Sequence, residues 1–257
     1  MTESRSVSLP DPASVRTLLL DAGGVLVKPS FARVAEALRA RGVAAEPAAL
    51  AAAEPRAKRA LDRPPSPGLS SDAERGWHYF NLVLAQAGIA RSPATDSALL
   101  DVKAWHDRYN LWEDVPADVR PSLARLRAVG LRLAVVSNAN GTLRLLFERL
   151  GLTPAFEVIL DSAEEGVEKP DARLFRTALE RLGGDAATAL HVGDIYHVDV
   201  VGARAAGIRP VLLDEAGLYP EADCPRVRSL AELAGREGRT SIDPRARHAD
   251  ALAGRRP

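Results

Sequence analysis

The 257-residue chain has few of the features that mark extracellular or membrane proteins. Its single cysteine, Cys224, excludes an internal disulfide framework and suits a reducing compartment. No apolar run approaches the roughly 18 residues of a membrane-spanning helix, and the polar residues 1–11 contain no signal-peptide core. These absences predict a cytoplasmic protein without a membrane partner.

The chain also has no excess of positive or negative charge. The chain has 34 basic and 34 acidic residues, so its formal net charge is zero. Nucleic acids and anionic membranes bind basic surfaces, and the balance therefore predicts no nucleic-acid partner. Hydrophobic residues make up 46% of the chain, enough for one large domain or for a domain with a smaller insert. The oligomeric state is left open.

Five short apolar runs, each ending in a polar residue, indicate strands of a parallel sheet that is buried on both faces. Helical apolar spacings separate the later runs, and this alternation predicts an α/β fold with a Rossmann-like parallel sheet and helices on both faces. Ligands of such sheets bind beyond the carboxyl ends of the strands. The predicted strands are 17–21, 131–137, 158–162, 189–194 and 210–214.

The stretch 29–116 contains no strand-like run and has helical spacings, such as Phe31, Val34 and Leu38 before Gly42. It is too long to connect two neighbouring strands, so we predict an inserted all-helical domain. Both ends of the chain have little periodicity and are predicted to be weakly ordered tails, with the C-terminal one disordered. The expected organisation is a tail at 1–13, a discontinuous core at 14–28 and 117–233, the helical domain at 29–116, and a tail at 234–257.

Polar motifs lie at the predicted strand ends or in the loops beside them. A carboxylate, a hydroxyl, an ammonium group and an acidic pair are groups that can hold a metal ion and a phosphate. Each alone has a commoner interpretation as a helix cap, a turn or a solvated side chain, and their joint occurrence favours a site. The motifs are Asp21, Ser137 with Asn138, Lys169 before Pro170, and Asp194 with Asp199.

The order of these motifs resembles that of the haloacid dehalogenase-like (HAD) hydrolase superfamily, over about residues 14 to 214. The long insert after the first motif is similar to the helical cap of the first type in that superfamily. The resemblance implies a phosphatase of small metabolites that works in two steps. Asp21 would be the nucleophile and would form an aspartyl-phosphate, which water then hydrolyses.

The resemblance also implies a Mg²⁺ cofactor, since this cation prefers hard oxygen ligands. Its ligands would be the carboxylates of Asp21 and Asp194 and the backbone carbonyl of Gly23. Asp199 would lie behind these ligands and orient waters or Lys169.

The remaining motifs would hold the transferring phosphoryl group. The resemblance implies that Ser137 and the amide of Asn138 bind its oxygens. Lys169 would place a positive charge against the same oxygens and against Asp21. Lys169 is therefore expected to be both a catalytic and a phosphate-binding residue.

Gly23 departs from the pattern of most phosphatases in the superfamily, which have a second Asp two residues after the nucleophile. That Asp protonates the leaving alcohol, and general acid–base catalysis contributes about 10² to 10⁴ in rate. The departure predicts a retained Mg²⁺ site with slow hydrolysis of alkyl phosphates, whereas acyl or aryl phosphates would be affected least. His106 and His197 are candidates to replace the missing group.

Two other functions stay open. A catalytically weak or inactive relative would bind a phosphorylated ligand or a protein partner, and Gly23 supports this reading. A 2-haloacid dehalogenase also uses an Asp nucleophile but needs no metal, so the acidic pair argues against it. Substrate-binding candidates lie near the end of the helical insert; they are Trp105, His106, Arg108 and Trp112.

Overall fold

A parallel sheet forms the centre of the protein in the computed structural model, which describes residues 9–62 and 72–237. Within these ranges the sheet has six strands in the order β3-β2-β1-β4-β5-β6. The last strand has only two residues and no periodic signal, and the sequence analysis missed it. The strands are β1 Thr17–Leu20, β2 Arg132–Ser137, β3 Val158–Asp161, β4 Ala189–Gly193, β5 Arg209–Leu213 and β6 Arg226–Val227.

Helices make up most of the remaining described structure. None of them is long and apolar enough to cross a membrane, within the ranges that the structure describes. The α-helices in those ranges are α1 Phe31–Ala40, α2 Pro47–Leu61, α3 Asp72–Gln86, α4 Pro93–Tyr109, α5 Val119–Ala128, α6 Leu143–Arg149, α7 Ser162–Glu165, α8 Ala172–Leu182, α9 Val201–Ala205 and α10 Leu230–Glu237.

The sheet is covered on both faces, as the continuous apolar runs predicted. Leu18 and Leu20 of β1 belong to one buried cluster, which includes residues of α5, α6 and α10. Leu19 points the other way, into a second cluster with residues of α8 and α9. This alternation follows from the two-residue period of a strand. The prediction of an α/β fold with a parallel sheet between helices is confirmed.

Helices α1 to α4 have a buried cluster of their own, which includes Phe31, Leu50, Phe80 and Leu99. We call this four-helix unit the cap. Trp112 lies where the chain returns from the cap, and it packs against both the cap cluster and a cluster of the sheet. The cap and the sheet are therefore in contact at this residue.

The chain ends differ from the expected tails. Leu9 packs against a cluster of the sheet, although residues 1–13 were expected to be weakly ordered. The prediction that a tail begins at residue 234 is wrong, because α10 continues to Glu237 and buries Ala234. Residues 1–8 and 238–257 lie outside the described ranges.

Helix α6 offers a matched test of the sheet's packing. Phe147 is fully buried against the sheet, whereas Leu145 on the same helix is 70% exposed. We expect Phe147→Ala to lower the free energy of unfolding by about 3–5 kcal/mol, because it leaves a cavity. Leu145→Ala should change that energy by less than about 0.5 kcal/mol. Urea unfolding followed by circular dichroism measures both, and equal losses would contradict the packing described here.

Candidate active site

Strand pairing brings the predicted polar residues to one edge of the sheet. Leu20, the last residue of β1, pairs with Val135 of β2 and with Val192 of β4. Asp21 follows Leu20 directly, and its backbone N–H donates to the Val192 carbonyl over 2.9 Å. The polar ends of β2 and β4 therefore flank Asp21.

Lys169 joins two of the carboxylates. Its Nζ lies 2.9 Å from Asp21 Oδ1 and 2.7 Å from Asp199 Oδ1, and the side chain is only 1% exposed. Asp199 has two further contacts: its Oδ2 accepts from the Ile195 backbone N–H over 3.0 Å, and its Oδ1 lies 3.0 Å from His191 Nε2. These contacts fix Asp199, which in turn holds the Lys169 ammonium beside Asp21.

The two carboxylates on Lys169 differ in acidity. Burial raises the pKa of Asp21 to about 7; the negative charges of Asp199 and Asp194 act in the same direction, and Lys169 opposes them. Burial acts upward on the pKa of Asp199 too, but the attraction of Lys169 and the contact with His191 outweigh it and hold the pKa well below its usual range. Asp199 is thus the permanent anion beside Lys169, whereas Asp21 is the less stabilised carboxylate.

Asp21, Asp194 and Asp199 form a compact acidic cluster. One carboxylate oxygen from each lies within 4.8 Å of the others, and all three residues are buried. Burial raises the pKa of Asp194, and Lys58 opposes this shift. Carboxylate oxygens are the ligands that Mg²⁺ prefers, so the donor set of the cluster fits this cation.

Glycines bring the backbone close to two of these carboxylates. A Cβ on Gly24 would lie 1.9 Å from Asp194 Oδ2, and one on Gly193 would lie 2.0 Å from Asp199 Cγ. Gly24 also has a φ of 79°, in the left-handed region that side chains disfavour. The Asp21–Gly24 turn therefore lies directly against Asp194.

The loop after β2 is hydrogen-bonded to the segment that contains Lys169. The Asn138 side chain accepts from the Lys169 backbone N–H over 2.7 Å and donates to the Lys169 carbonyl over 3.0 Å. Ser137 is buried at the end of β2, beside Asp161 of β3. Asp161 Oδ2 accepts from the backbone N–H of Gly141 over 2.9 Å. The Asn138 side chain thus positions Lys169, a role that the sequence analysis did not foresee.

The cap contributes charged groups that the sequence analysis missed. Lys58 of α2 has its Nζ 2.6 Å from Asp194 Oδ2 and 3.3 Å from Glu54 Oε1, one helical turn away. The Tyr79 hydroxyl donates to Glu54 Oε1 over 2.9 Å. Glu54 and Lys58 have the spacing of an ordinary helix-surface ion pair, so their sequence gave no sign that they reach the sheet.

Asp62, at the end of α2, contacts the loop between Asp194 and Asp199. Its carboxylate accepts from the backbone N–H groups of Tyr196 over 2.7 Å and His197 over 2.9 Å. His197 Nδ1 also lies 2.8 Å from Asp62 Oδ1. His197, a candidate for the missing acid–base group, is therefore engaged with the cap.

Of the four proposed substrate-binding residues, Trp105 and Arg108 have contacts within the cap. The Arg33 guanidinium lies 3.7 Å from the centre of the Trp105 ring, which also packs against Tyr109. Arg108 is exposed and lies over the Tyr109 ring at 5.0 Å. Both residues therefore have contacts within the cap.

His106 and Trp112 lie closer to the sheet. The His106 ring is 5.2 Å from the Trp112 ring, and its Nε2 lies 3.3 Å from Asn140 Nδ2. Trp112 borders the Asp21–Gly24 turn, because a Cβ on Gly23 would lie 3.2 Å from its indole Nε1. The indole therefore lines the space in which a side chain at position 23 would lie.

The contact between Gly24 and Asp194 can be tested with a matched pair of variants. Gly42 has a φ of 74°, similar to that of Gly24, but no atom of the described residues lies within 4 Å of a Cβ placed on it. Each Gly→Ala variant places a side chain on a residue with left-handed backbone angles, which costs about 1 kcal/mol. Gly24→Ala must in addition displace the Asp194 side chain. We expect Gly24→Ala to lower the free energy of unfolding by at least about 1 kcal/mol more than Gly42→Ala. Equal losses in urea unfolding would show that Asp194 does not lie against the turn.

Comparisons with known proteins agree with this geometry. The profile of the haloacid dehalogenase-like hydrolase family matches residues 15–207. The haloacid dehalogenase-like hydrolase domain-containing protein 3 of Mus musculus is 34% identical over 217 residues, which cover 80% of this chain and 84% of the mouse protein. A ribulose-1,5-bisphosphate 5-phosphatase of Halopiger xanaduensis is 36% identical over 148 residues, which cover 57% of this chain and 61% of that protein.

Two further similarities concern a phosphatase and a solved structure. A phosphoserine phosphatase of Thermus thermophilus is 40% identical over 145 residues, 55% of each chain. The HAD-hydrolase YfnB of Bacillus subtilis, solved with bound magnesium, has a TM-score of 0.63 at 21% identity and covers 86% of this chain and 97% of its own. That structural likeness establishes the fold. With the family profile spanning most of the sheet and the whole cap, this chain belongs to the haloacid dehalogenase-like hydrolase family and is a hydrolase.

Proposed function

We propose that this chain is a Mg²⁺-dependent phosphatase that acts on a small phosphorylated metabolite through an aspartyl-phosphate on Asp21. The observation that carries the proposal is the position of Asp21, whose carboxylate lies 2.9 Å from the buried Lys169 ammonium and beside two further carboxylates. The relatives named for phosphatase activity on ribulose bisphosphate, phosphoserine and glyceraldehyde 3-phosphate support the reaction class. They differ in substrate and therefore do not identify the substrate of this chain.

Asp21 is oriented for nucleophilic attack. Its Oδ1 accepts from the Ala22 backbone N–H over 2.7 Å and contacts Lys169. Because both contacts involve Oδ1, we assign Oδ2 as the attacking oxygen. The bond from Oδ2 to phosphorus forms as the bond from phosphorus to the leaving oxygen breaks, and water then hydrolyses the aspartyl-phosphate.

The neighbouring groups stabilise charge on the transferring phosphoryl group. Lys169 places its ammonium against the phosphoryl oxygens, while Ser137 and the backbone amide of Asn138 donate hydrogen bonds to them. Asp199 keeps Lys169 charged and in place. Asp21, Asp194 and the Gly23 carbonyl would hold Mg²⁺, which reduces the repulsion between a carboxylate and an anionic phosphoryl group.

The substrate preference follows from Gly23. This residue has no group that could protonate the leaving oxygen, and the adjacent Trp112 indole donates hydrogen bonds but does not release its proton. Both ring nitrogens of His106 are engaged, Nδ1 by the Leu111 backbone N–H and Nε2 near Asn140. We therefore propose substrates whose leaving group departs as a stable anion, such as acyl or aryl phosphates.

Gly23 also keeps a second candidate function open, in which the chain binds a phosphorylated ligand or partner with little turnover. Mg²⁺ binding without hydrolysis of any phosphate ester would select it. The third candidate, a 2-haloacid dehalogenase, needs no metal, and the acidic cluster of Asp21, Asp194 and Asp199 disfavours it. Halide release from 2-haloacids in the presence of a chelator would select that function.

The role of Asp21 is tested with acetyl phosphate and p-nitrophenyl phosphate, with and without Mg²⁺. We expect Asp21→Asn to lower turnover by at least about 10³-fold, because the amide cannot form the acyl phosphate. Asp101→Asn, at an exposed ion pair with Arg41 on the cap, is the matched control and should retain wild-type turnover. Mass spectrometry of quenched wild-type enzyme should show one added phosphoryl group on the peptide that contains Asp21. Equal turnover in Asp21→Asn would remove this residue from the mechanism.

The missing acid–base group is tested by restoring it. Gly23→Asp alone should give little gain, because its Cβ would lie 3.2 Å from Trp112 Nε1. The double variant Gly23→Asp with Trp112→Ala has room for the carboxylate, and we expect its turnover of alkyl phosphates to rise by about 10²-fold over Trp112→Ala alone. Aryl phosphates, which need no protonation, should change little. No gain on alkyl phosphates would indicate a pocket built for something other than ordinary ester hydrolysis.

A further inference from the structure

A largely buried ammonium group of the cap contacts one carboxylate of the acidic cluster. The Lys58 side chain is 13% exposed, and its two carboxylate partners, Asp194 and Glu54, are 4% and 5% exposed. A buried ammonium is costly unless it is paired. Burial acts to lower the pKa of Lys58, but the attraction of Asp194 and Glu54 outweighs burial and raises this pKa. Lys58 therefore stays positively charged. The cap therefore brings a permanent cation to a carboxylate that we propose as a metal ligand.

Contacts on both sides fix the position of this cation. Glu54, one turn before Lys58 on α2, is held by the Tyr79 hydroxyl at 2.9 Å. Asp62, one turn after Lys58, accepts from the backbone N–H groups of Tyr196 and His197, in the loop that follows Asp194. The Lys58 ammonium also lies 2.9 Å from the position of a Cβ on Gly24, next to the nucleophile's turn. Lys58 is thus directed at the reacting centre.

The charges of the cluster suggest what Lys58 does there. The three carboxylates of the cluster face two ammonium groups, those of Lys169 and Lys58. Glu54 has a second partner in Lys28, at 3.7 Å. A divalent cation on Asp21 and Asp194 would face the Lys58 ammonium across Asp194 and would weaken this ion pair. Lys58 would then keep Glu54 as a partner, and a phosphoryl substrate would bring an anionic oxygen in place of Asp194.

We propose that Lys58 is the substrate-binding cation of the cap. It contacts Asp194 when no divalent cation is bound, competes with that cation for Asp194, and contacts an anionic oxygen of the substrate when the cation is in place. The competition depends only on the acidic cluster, whereas the contact with substrate rests on the proposed function.

Two neutral variants, Lys58→Met and Lys58→Gln, test the competition. Removing the competing charge should lower the Kd for Mg²⁺ alone by about ten-fold in calorimetric titration. Lys103→Met is the matched control, since Lys103 lies on cap helix α4 in an exposed ion pair with Asp107, and it should leave the Kd unchanged. Thermal unfolding identifies any variant that fails to fold. If one of the two neutral variants fails to fold, the Kd for Mg²⁺ is measured with the other. An unchanged or raised Kd for Mg²⁺ in a folded neutral variant overturns the competition.

The contact with substrate is tested in saturating Mg²⁺ with inorganic phosphate as the probe. We expect both neutral variants to bind phosphate about ten-fold more weakly than the wild type and to raise KM for acetyl phosphate more than they lower kcat. Unchanged phosphate affinity overturns this part of the proposal. Phosphate binding could weaken as expected in the variants while the wild type hydrolyses no phosphate ester. That result would support the role of Lys58 and contradict the proposed phosphatase function.

Discussion

The ion contacts of Lys169 with Asp21 and Asp199 are the interaction on which the site depends. Buried carboxylates repel one another and lose hydration, so a cluster of three is stable only if cations lie among them. Lys169 contacts two of the three and is itself buried. The Asn138 side chain accepts a hydrogen bond from the backbone N–H of this lysine, and Asp199 accepts one from its ammonium group. The proposed role of Asp21 therefore relies on Asp199 and on the Asn138 side chain, which hold Lys169 in place.

The cap is a structural unit with its own buried cluster, but its helix α2 also belongs to the site. Lys58 contacts Asp194, and Asp62 contacts the loop between Asp194 and Asp199. A cap held only by apolar packing could shield the site from water without influencing its charges. Here the cap supplies a cation, and the electrostatics of the acidic cluster consequently depend on where the cap lies.

Gly23 has no side chain, and the Trp112 indole lies beside it. The indole lines the space beside Gly23 and packs against Tyr79, Phe80 and His106 of the cap. An aromatic side chain thus borders the space that a side chain at position 23 would enter. This arrangement is the structural basis of the proposed preference for substrates that need no proton from the enzyme.

The sequence by itself determined the fold class and most of the sheet, because strands buried on both faces are continuous apolar runs. It also placed Asp21 and Asp194 at one edge of the sheet, since the carboxyl ends of parallel strands share that edge. Lys169 and Asp199 lie several residues beyond the strands, and the order of the motifs, which resembles that of the family, indicated them. Tertiary structure alone decided that Lys58 and Asp62 reach the sheet, and that Trp105 and Arg108 have structural contacts within the cap. A helix pattern shows which residues share a face, but the direction of that face depends on how the cap packs onto the sheet. For the same reason, only the folded chain shows that Trp112 lines the space beside Gly23.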